Sequence, residues 1–316
     1  MNTTIQLLQT KKVKSILKIV FIIAFIGFIL FEGRKELASI KIEDVETVLK
    51  SLSIYAIIFF LFGGILASTT GFIHDNIISK ELTICLSNIK IFKISFISNT
   101  INNALGGFSS AGARGMLYVK EGISPKESTY YNILIVSSFS AGLSLLTWLA
   151  LLNFKTVSSI FHQYKFALIS TIIIIFYAPL YFMINKLKWI KKKLLGEDAE
   201  KIISYHLLEK LFISSVFEWT ITGIFFSIIA LHFAPNAKFI DIFSVFIISS
   251  VIGVVSLVPG AIGAFDLTVL LGMSTIGIGS HKGVATLLMF RLFYYIIPLI
   301  LALLISLPDF FKKRVN

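Results

Sequence analysis

Apolar windows of about 17 to 24 residues recur along the chain, at 15–31, 52–73, 131–152, 166–184, 211–233, 239–258 and 284–307. Nothing constrains the fold more, because windows of that length with few charges match the thickness of a bilayer's hydrocarbon core. The chain has 316 residues, 56% hydrophobic and 15% charged, with mean hydropathy +0.88, far beyond what a soluble core of this size absorbs. Without water to satisfy the backbone, such windows must be helices. The expected fold class is therefore an all-α polytopic integral membrane protein. The longest polar block, 186–210, is interrupted by apolar positions, so residues 1–316 read as a single membrane domain with no soluble domain.

Two segments depart from plain spanning sequence. Segment 94–113 carries Asn102, Asn103, Gly106 and Gly107, and segment 259–280 opens on Pro259 and Gly260 and continues through Gly263. Proline removes a backbone donor and glycine frees the chain to turn, so both segments are expected to be re-entrant or broken helices. Loop charge gives a topology, since cytoplasmic loops carry the excess of Lys and Arg. With 94–113 as a hairpin that enters and leaves from the cytoplasm and 259–280 crossing the membrane, 20 of the 29 Lys and Arg lie inside and 8 outside, Arg291 being within a span. With 94–113 crossing instead, the division becomes 11 inside and 17 outside. The hairpin arrangement has about eight spans, a retained first span and both termini cytoplasmic. LGGFSSAGARGMLYV from Leu105 and VPGAIGAFDLTVLLG from Val258 share a glycine-bearing break, small residues and then a charge. That pattern reads as a weak internal repeat, or as the general enrichment of Gly and Ala in membrane helices.

Five ionisable residues lie in or beside apolar sequence: Asp75, Arg114, Glu218, Asp266 and Arg291. At a helix centre each costs about 2.5 to 3.5 kcal/mol on insertion scales, so they should face a cavity or one another. Asp75 has the weakest claim, because its position suits the cytoplasmic end of a span. Two readings stay open: the five line one ligand cavity, or they pair to hold helices together. Arginine presents a planar fork to phosphate, and backbone N–H groups at a helix start beyond a glycine break add a positive dipole. Acids suit an ammonium. Together they would accommodate a lipid headgroup carrying both, with its acyl chains left in the bilayer.

Several chemistries lack their sequence signatures. There is no G-x-x-x-x-G-K-[ST] loop for ATP and no G-x-S-x-G elbow for a nucleophile. His74, His162, His206, His232 and His281 are scattered without metal-ligand spacing and are expected as interfacial side chains. Trp148, Trp189, Tyr294 and Tyr295 are expected as interface anchors or packing residues. Cys85 is the one cysteine and cannot form an intrachain disulfide. No catalytic residue, metal or cofactor is expected. The net charge of +12 sits mostly in loops, which favours anionic membrane lipids over nucleic acid as its counterpart.

SLVPGAIGAFDLTVLLGM, followed by MFRLFYYIIPLILALL, resembles the lysylphosphatidylglycerol synthase transmembrane region, the flippase half of bacterial multiple peptide resistance factor. NTINNALGGFSSAGARGMLYVKEG resembles that family's other signature, in the same order. The resemblance implies translocation of lysyl-phosphatidylglycerol, or a related aminoacylated or anionic phospholipid, from the inner to the outer leaflet of the bacterial cell membrane. Such transport confers resistance to cationic antimicrobial peptides. It also implies flipping roles for Asp75, Arg114 and Glu218, with Asp266 and Arg291 as motif residues. Full-length members of that family continue into further spans and an aminoacyl-transferase domain, whereas this chain stops at Asn316. The expectation is thus a lipid flippase supplied by a separate lipid aminoacyl-transferase. The alternatives are a phosphatidylglycerol lysyltransferase, a secondary transporter of a small solute and a non-transporting scaffold. The lipid, the driving force and whether the chain is a homo-oligomer stay open.

Overall fold

Helix α1 (Ile54–Thr69) shows how this chain packs. Its outward stripe is Tyr55, Phe59, Phe62 and Leu66, all exposed, while its inward stripe is Phe60, Gly64, Ala67 and Ser68, all buried. Large apolar groups point away from the protein and small or polar ones point into it. That distribution suits a lipid solvent, in which association depends on close packing and hydrogen bonds. The computed structural model describes residues 48, 50–82, 84–105, 109–184, 204–256 and 263–311, all within one unit spanning 45–316.

After α1 come α2 (Phe72–Glu81), α3 (Asn88–Leu105) and α4 (Ser109–Lys120). They are followed by α5 (Pro125–Leu151), α6 (Phe154–Gln163), α7 (Lys165–Ile175) and α8 (Tyr177–Ile184). The second half has α9 (Tyr205–Phe233), α10 (Phe239–Val255), α11 (Ala264–Thr275) and α12 (Ser280–Phe290), then a π-helical turn (Arg291–Ile296) and α13 (Ile297–Phe311). Among the described residues, five stretches are long and apolar enough to cross a membrane: Ile54–Glu81, Pro125–Leu151, Lys165–Met183, Tyr205–Phe233 and Ser280–Pro308. They match the windows at 52–73, 131–152, 166–184, 211–233 and 284–307. The window at 239–258 yields α10, whose 17 residues rise about 26 Å. The window at 15–31 lies outside the described residues.

Local signals set the helix starts. Ser124 accepts from the Glu127 N–H while Glu127 reaches back to the Ser124 N–H, a capping box with Pro125 in the first turn. Ser204 caps α9 and Ser53 caps α1 through the same kind of side-chain acceptor. Helices α5, α9 and α10 pack against one another at the centre, with α9 also touching α1, α2 and α12.

The two interrupted segments behave differently. Helices α3 and α4 pack side by side, and Lys90 near the start of α3 pairs with Glu121 just past the end of α4, at 2.6 Å. The segment therefore leaves at the end where it came in, as a hairpin. Lys210 bonds Glu81, and these four charges mark one end of the bundle, the inner end in the topology expected from loop charge. At the opposite end, Asp241 accepts from Asn153 at 2.7 Å and from Thr156 at 2.9 Å, tying α10 to the α5–α6 corner. The expected passage of 259–280 across the membrane is not made by α11 alone, since 12 residues rise only about 18 Å. Gly106, Gly107, Pro259 and Gly260 lie outside the described residues, as does most of the 186–210 loop. Gly263 is described: its φ of 80° is the left-handed conformation that favours glycine, and it ends the turn into α11.

Glycine also permits two backbone approaches. A methyl group at Gly64 would collide with the Phe293 carbonyl, and one at Gly142 would collide with Ser215, where α5 meets α9. Gly112, by contrast, has open space around its Cα. Gly64→Ala is expected to destabilise the detergent-solubilised protein by about 1 to 3 kcal/mol through overpacking, whereas Gly112→Ala is neutral or slightly stabilising. Thermal unfolding of the two variants side by side checks this.

Candidate functional site

The site begins at the break between α1 and α2. Thr69 and Thr70 turn their hydroxyls back onto the Leu66 and Ala67 carbonyls, which loosens the helix ladder, and Gly71 follows. A side chain at Gly71 would overlap the Asn99 amide, so the glycine is what lets α3 seat Asn99 there. Asn99 then accepts from Arg114 Nη2 at 2.6 Å and donates to Ser95 Oγ at 3.1 Å. Ser95 and Asn99 are four apart on α3, one turn along the same face.

Arg114 and Tyr118 are likewise four apart on α4, and both reach Asp75. Arg114 Nε lies 3.1 Å from Asp75 Oδ1, and the Tyr118 hydroxyl donates to the same oxygen at 2.8 Å. Asp75 is 0% exposed and Arg114 1%, so Asp75, though close to the end of its span as expected, is enclosed by the protein. The reason is geometric: Asp75 is six residues, about 9 Å, short of Glu81 at the inner end, and the hairpin covers it. Its second oxygen, Oδ2, is buried and makes no hydrogen bond among the described residues.

On the neighbouring residue, His74 Nδ1 lies 3.2 Å from Glu218 Oε2 of α9. His74 is 1% exposed, which overturns its expected interfacial position. One turn along α9, Thr222 bonds the Glu218 carbonyl and stands 3.3 Å from the Tyr294 hydroxyl, with Asn103 of α3 at that hydroxyl too. Tyr294 thus packs inside the bundle instead of anchoring at an interface.

Tyr294 sits in the π-helical turn. Pro298 has no N–H for the Tyr294 carbonyl, and the helix widens just before it. The same turn carries Arg291, whose Nη2 donates to both Asp266 oxygens at 2.8 Å and whose Nε reaches Oδ1 at 3.3 Å. The Arg291 guanidinium also lies 4.8 Å above the Tyr295 ring. Asp266 Oδ2 accepts from the Gly263 N–H at 3.1 Å, so one carboxylate caps α11 and holds Arg291. Arg291 is the twelfth residue of the 29-residue stretch Ser280–Pro308, so this pair lies near mid-depth.

The structure therefore pairs Asp75 with Arg114, brings Glu218 to His74, the residue next to Asp75 on α2, and places Asp266 with Arg291, the Glu218–Thr222–Tyr294 contacts leading from α9 toward the turn that holds Arg291. Sequence reasoning missed His74, Asn99 and Tyr118. Tyr118 stands one helical turn after Arg114, and Asn99 and Tyr118 lie within the quoted family signature, signals that could have nominated them. His74 had no signal beyond adjacency to Asp75. Among the described residues no group of three His, Cys, Asp or Glu has metal-binding geometry.

Removing one member of a buried pair strands the other charge, at about 3 to 5 kcal/mol, whereas removing both is far milder. Asp75→Leu and Arg114→Leu are each expected to destabilise by that amount, and the double variant by clearly less than their sum. Unfolding of all four proteins in one detergent completes the cycle.

The sequence matches the family described as Lysylphosphatidylglycerol synthase TM region over residues 15–302. It is 30% identical over 307 residues to a phosphatidylglycerol lysyltransferase of Bacillus subtilis (strain 168), covering 96% of this chain and 35% of that protein. It is 29% identical over 301 residues to a phosphatidylglycerol lysyltransferase of Staphylococcus aureus (strain MSSA476), covering 95% of this chain and 35% of that one. The chain thus spans about a third of the length of these relatives. Five helical stretches long and apolar enough to cross a membrane and a family match covering most of the sequence together make this cell-membrane protein a member of the lysylphosphatidylglycerol synthase TM region family.

Proposed function

We propose that this chain is a lipid flippase, moving lysyl-phosphatidylglycerol or a closely related aminoacylated phospholipid from the inner to the outer leaflet. The observation that carries the reading is the cluster of opposite charges at membrane depth: Asp75, Arg114 and Glu218 from three separate elements, all at most 7% exposed. Hydrocarbon tolerates such groups only when they pair, and a zwitterionic or cationic headgroup offers the same pairing partners. In this reading Arg114 or Arg291 takes the phosphate and Glu218, with Asp75 or Asp266, takes the ammonium. The acyl chains stay in the bilayer throughout, so the protein shields only the headgroup.

The inner end suits loading from a cytoplasmic leaflet. Lys90, Lys93 and Lys120 line a groove between α3 and α4 with Glu121, a setting that attracts anionic headgroups. Both termini are cytoplasmic in this proposal, and residues 1–316 act as one membrane domain. A separate aminoacyl-transferase activity supplies the lipid, and exposing it on the outer surface lowers the negative charge that draws cationic antimicrobial peptides.

The test is reconstitution into liposomes containing lysyl-phosphatidylglycerol, with newly exposed headgroup amines read by a membrane-impermeant amine reagent. Translocation faster than in protein-free liposomes is expected, with Arg114→Ala and Glu218→Gln reduced at least about tenfold, the effect of about 1.4 kcal/mol on a barrier. A rate equal to protein-free liposomes overturns the proposal. So does formation of lysylated lipid by this chain alone from charged lysyl-tRNA and phosphatidylglycerol.

A further inference from the structure

Each candidate acid already has a basic partner in the protein itself: Asp75 a guanidinium, Arg114, Asp266 a guanidinium, Arg291, and Glu218 the imidazole of His74. The three partners are not equivalent. A guanidinium keeps its charge at any pH a cell offers, so freeing Asp75 or Asp266 would leave an arginine uncompensated in a low-dielectric interior. An imidazole can shed its charge between about pH 5 and 8. Glu218 is thus the acid that can be released while leaving behind a neutral partner.

The geometry supports that role for the ring. His74 is 1% exposed and Glu218 7%, and they join α2 to α9 across the bundle. Nδ1 faces the carboxylate, while Nε2 is buried and makes no hydrogen bond among the described residues. Other titratable or charged groups are turned toward this region. They are Asp75 beside His74, Arg114 and Tyr118 of α4, Tyr131 of α5 against the Tyr118 ring, and Tyr294 of the π turn. Asp75 is paired with Arg114, and His74 is the group whose ring nitrogen faces the Glu218 carboxylate.

We infer that His74 is the residue that guards Glu218, occupying it as an imidazolium between turnovers and leaving as a neutral ring when a headgroup ammonium takes its place. This rests on the flippase reading above and names the acid at which the ammonium exchanges. The exchange balances: the imidazolium N–H gives its proton to water, the imidazole swings from the carboxylate, and the arriving ammonium donates an N–H in its stead. Net charge at the site is unchanged, and reprotonation of His74 expels the ammonium. His74 is in this scheme a positioning residue, acting on the lipid through Glu218.

The experiment is the same liposome assay with lysyl-phosphatidylglycerol, run from about pH 8 to about pH 5.5 with wild type, His74→Asn and His74→Lys. Asparagine places an amide donor near the Nδ1 position without a titratable charge, and lysine supplies a charge that persists over that range. Wild-type translocation is expected to fall at least about fivefold toward the acid end, over the range in which imidazole charges. His74→Asn is expected to flatten that profile and His74→Lys to translocate at least about tenfold more slowly than wild type at the alkaline end. The lipid's own amines titrate equally for all three proteins, so only the difference between profiles is read. Translocation by wild type with a profile unchanged in His74→Asn overturns the role of His74 and leaves the flippase reading standing. Absence of wild-type translocation overturns both. If His74→Asn does not fold, as judged by size-exclusion chromatography, the comparison with His74→Lys decides: a rate within about twofold of wild type at the alkaline end overturns the inference, and the tenfold fall sustains it.

Discussion

The Asp75–Arg114 pair is the contact on which the rest of this bundle depends. Both groups are buried to 1% exposure or less, and an ion left alone at that depth would be several kcal/mol uphill. The pair therefore dictates where α4 lies against α2. The Tyr118 hydroxyl donates to the carboxylate oxygen that faces Arg114, and Asn99 takes an N–H of the guanidinium, so α3 is tied in as well. A re-entrant hairpin has fewer apolar contacts than a full span and needs such fixing. In water these bonds would compete with solvent; in a low-dielectric interior their geometry decides the packing.

Small residues make those polar contacts reachable. Gly71 admits the Asn99 amide, Gly64 admits the Phe293 carbonyl, and Gly142 admits Ser215. Each brings a backbone closer than a methyl group would allow, which is the source of stability open to helices whose outer faces are already satisfied by lipid. The Gly64 contact matters beyond packing, because Phe293 belongs to the π turn that carries Arg291 and Tyr294. Helix α1 thereby braces the segment that holds both the Asp266 partner and the tyrosine next to Thr222.

Much of this was legible in the sequence, and the rest was not for identifiable reasons. Apolar windows located the long helices, with ends off by up to about eight residues, because hydrocarbon thickness sets a minimum length but not where polar helix ends stop. The hairpin at 94–113 was legible from loop charge, and Lys90 meeting Glu121 shows its two arms ending together. The ionisable residues were nominated one at a time by their cost in lipid, but that cost does not reveal partners. Asp75 with Arg114 and Asp266 with Arg291 are tertiary facts. His74 was misread because five scattered histidines show no spacing, and a buried imidazole is distinguished from an interfacial one only by what packs over it.

The pairing also narrows how a site like this could work. If all three acids were held by arginines, every state lacking a headgroup would be equally locked, and admitting an ammonium would strand a cation inside the bundle. If none were held, the headgroup-free state would bury bare carboxylates. The arrangement found has two arginine pairs, Asp75–Arg114 and Asp266–Arg291, and one histidine pair, His74–Glu218. Under the proposed function, a framework that keeps its shape while the histidine position exchanges partners would let a charged headgroup enter and leave without a net change in buried charge, the electrostatic condition for crossing hydrocarbon.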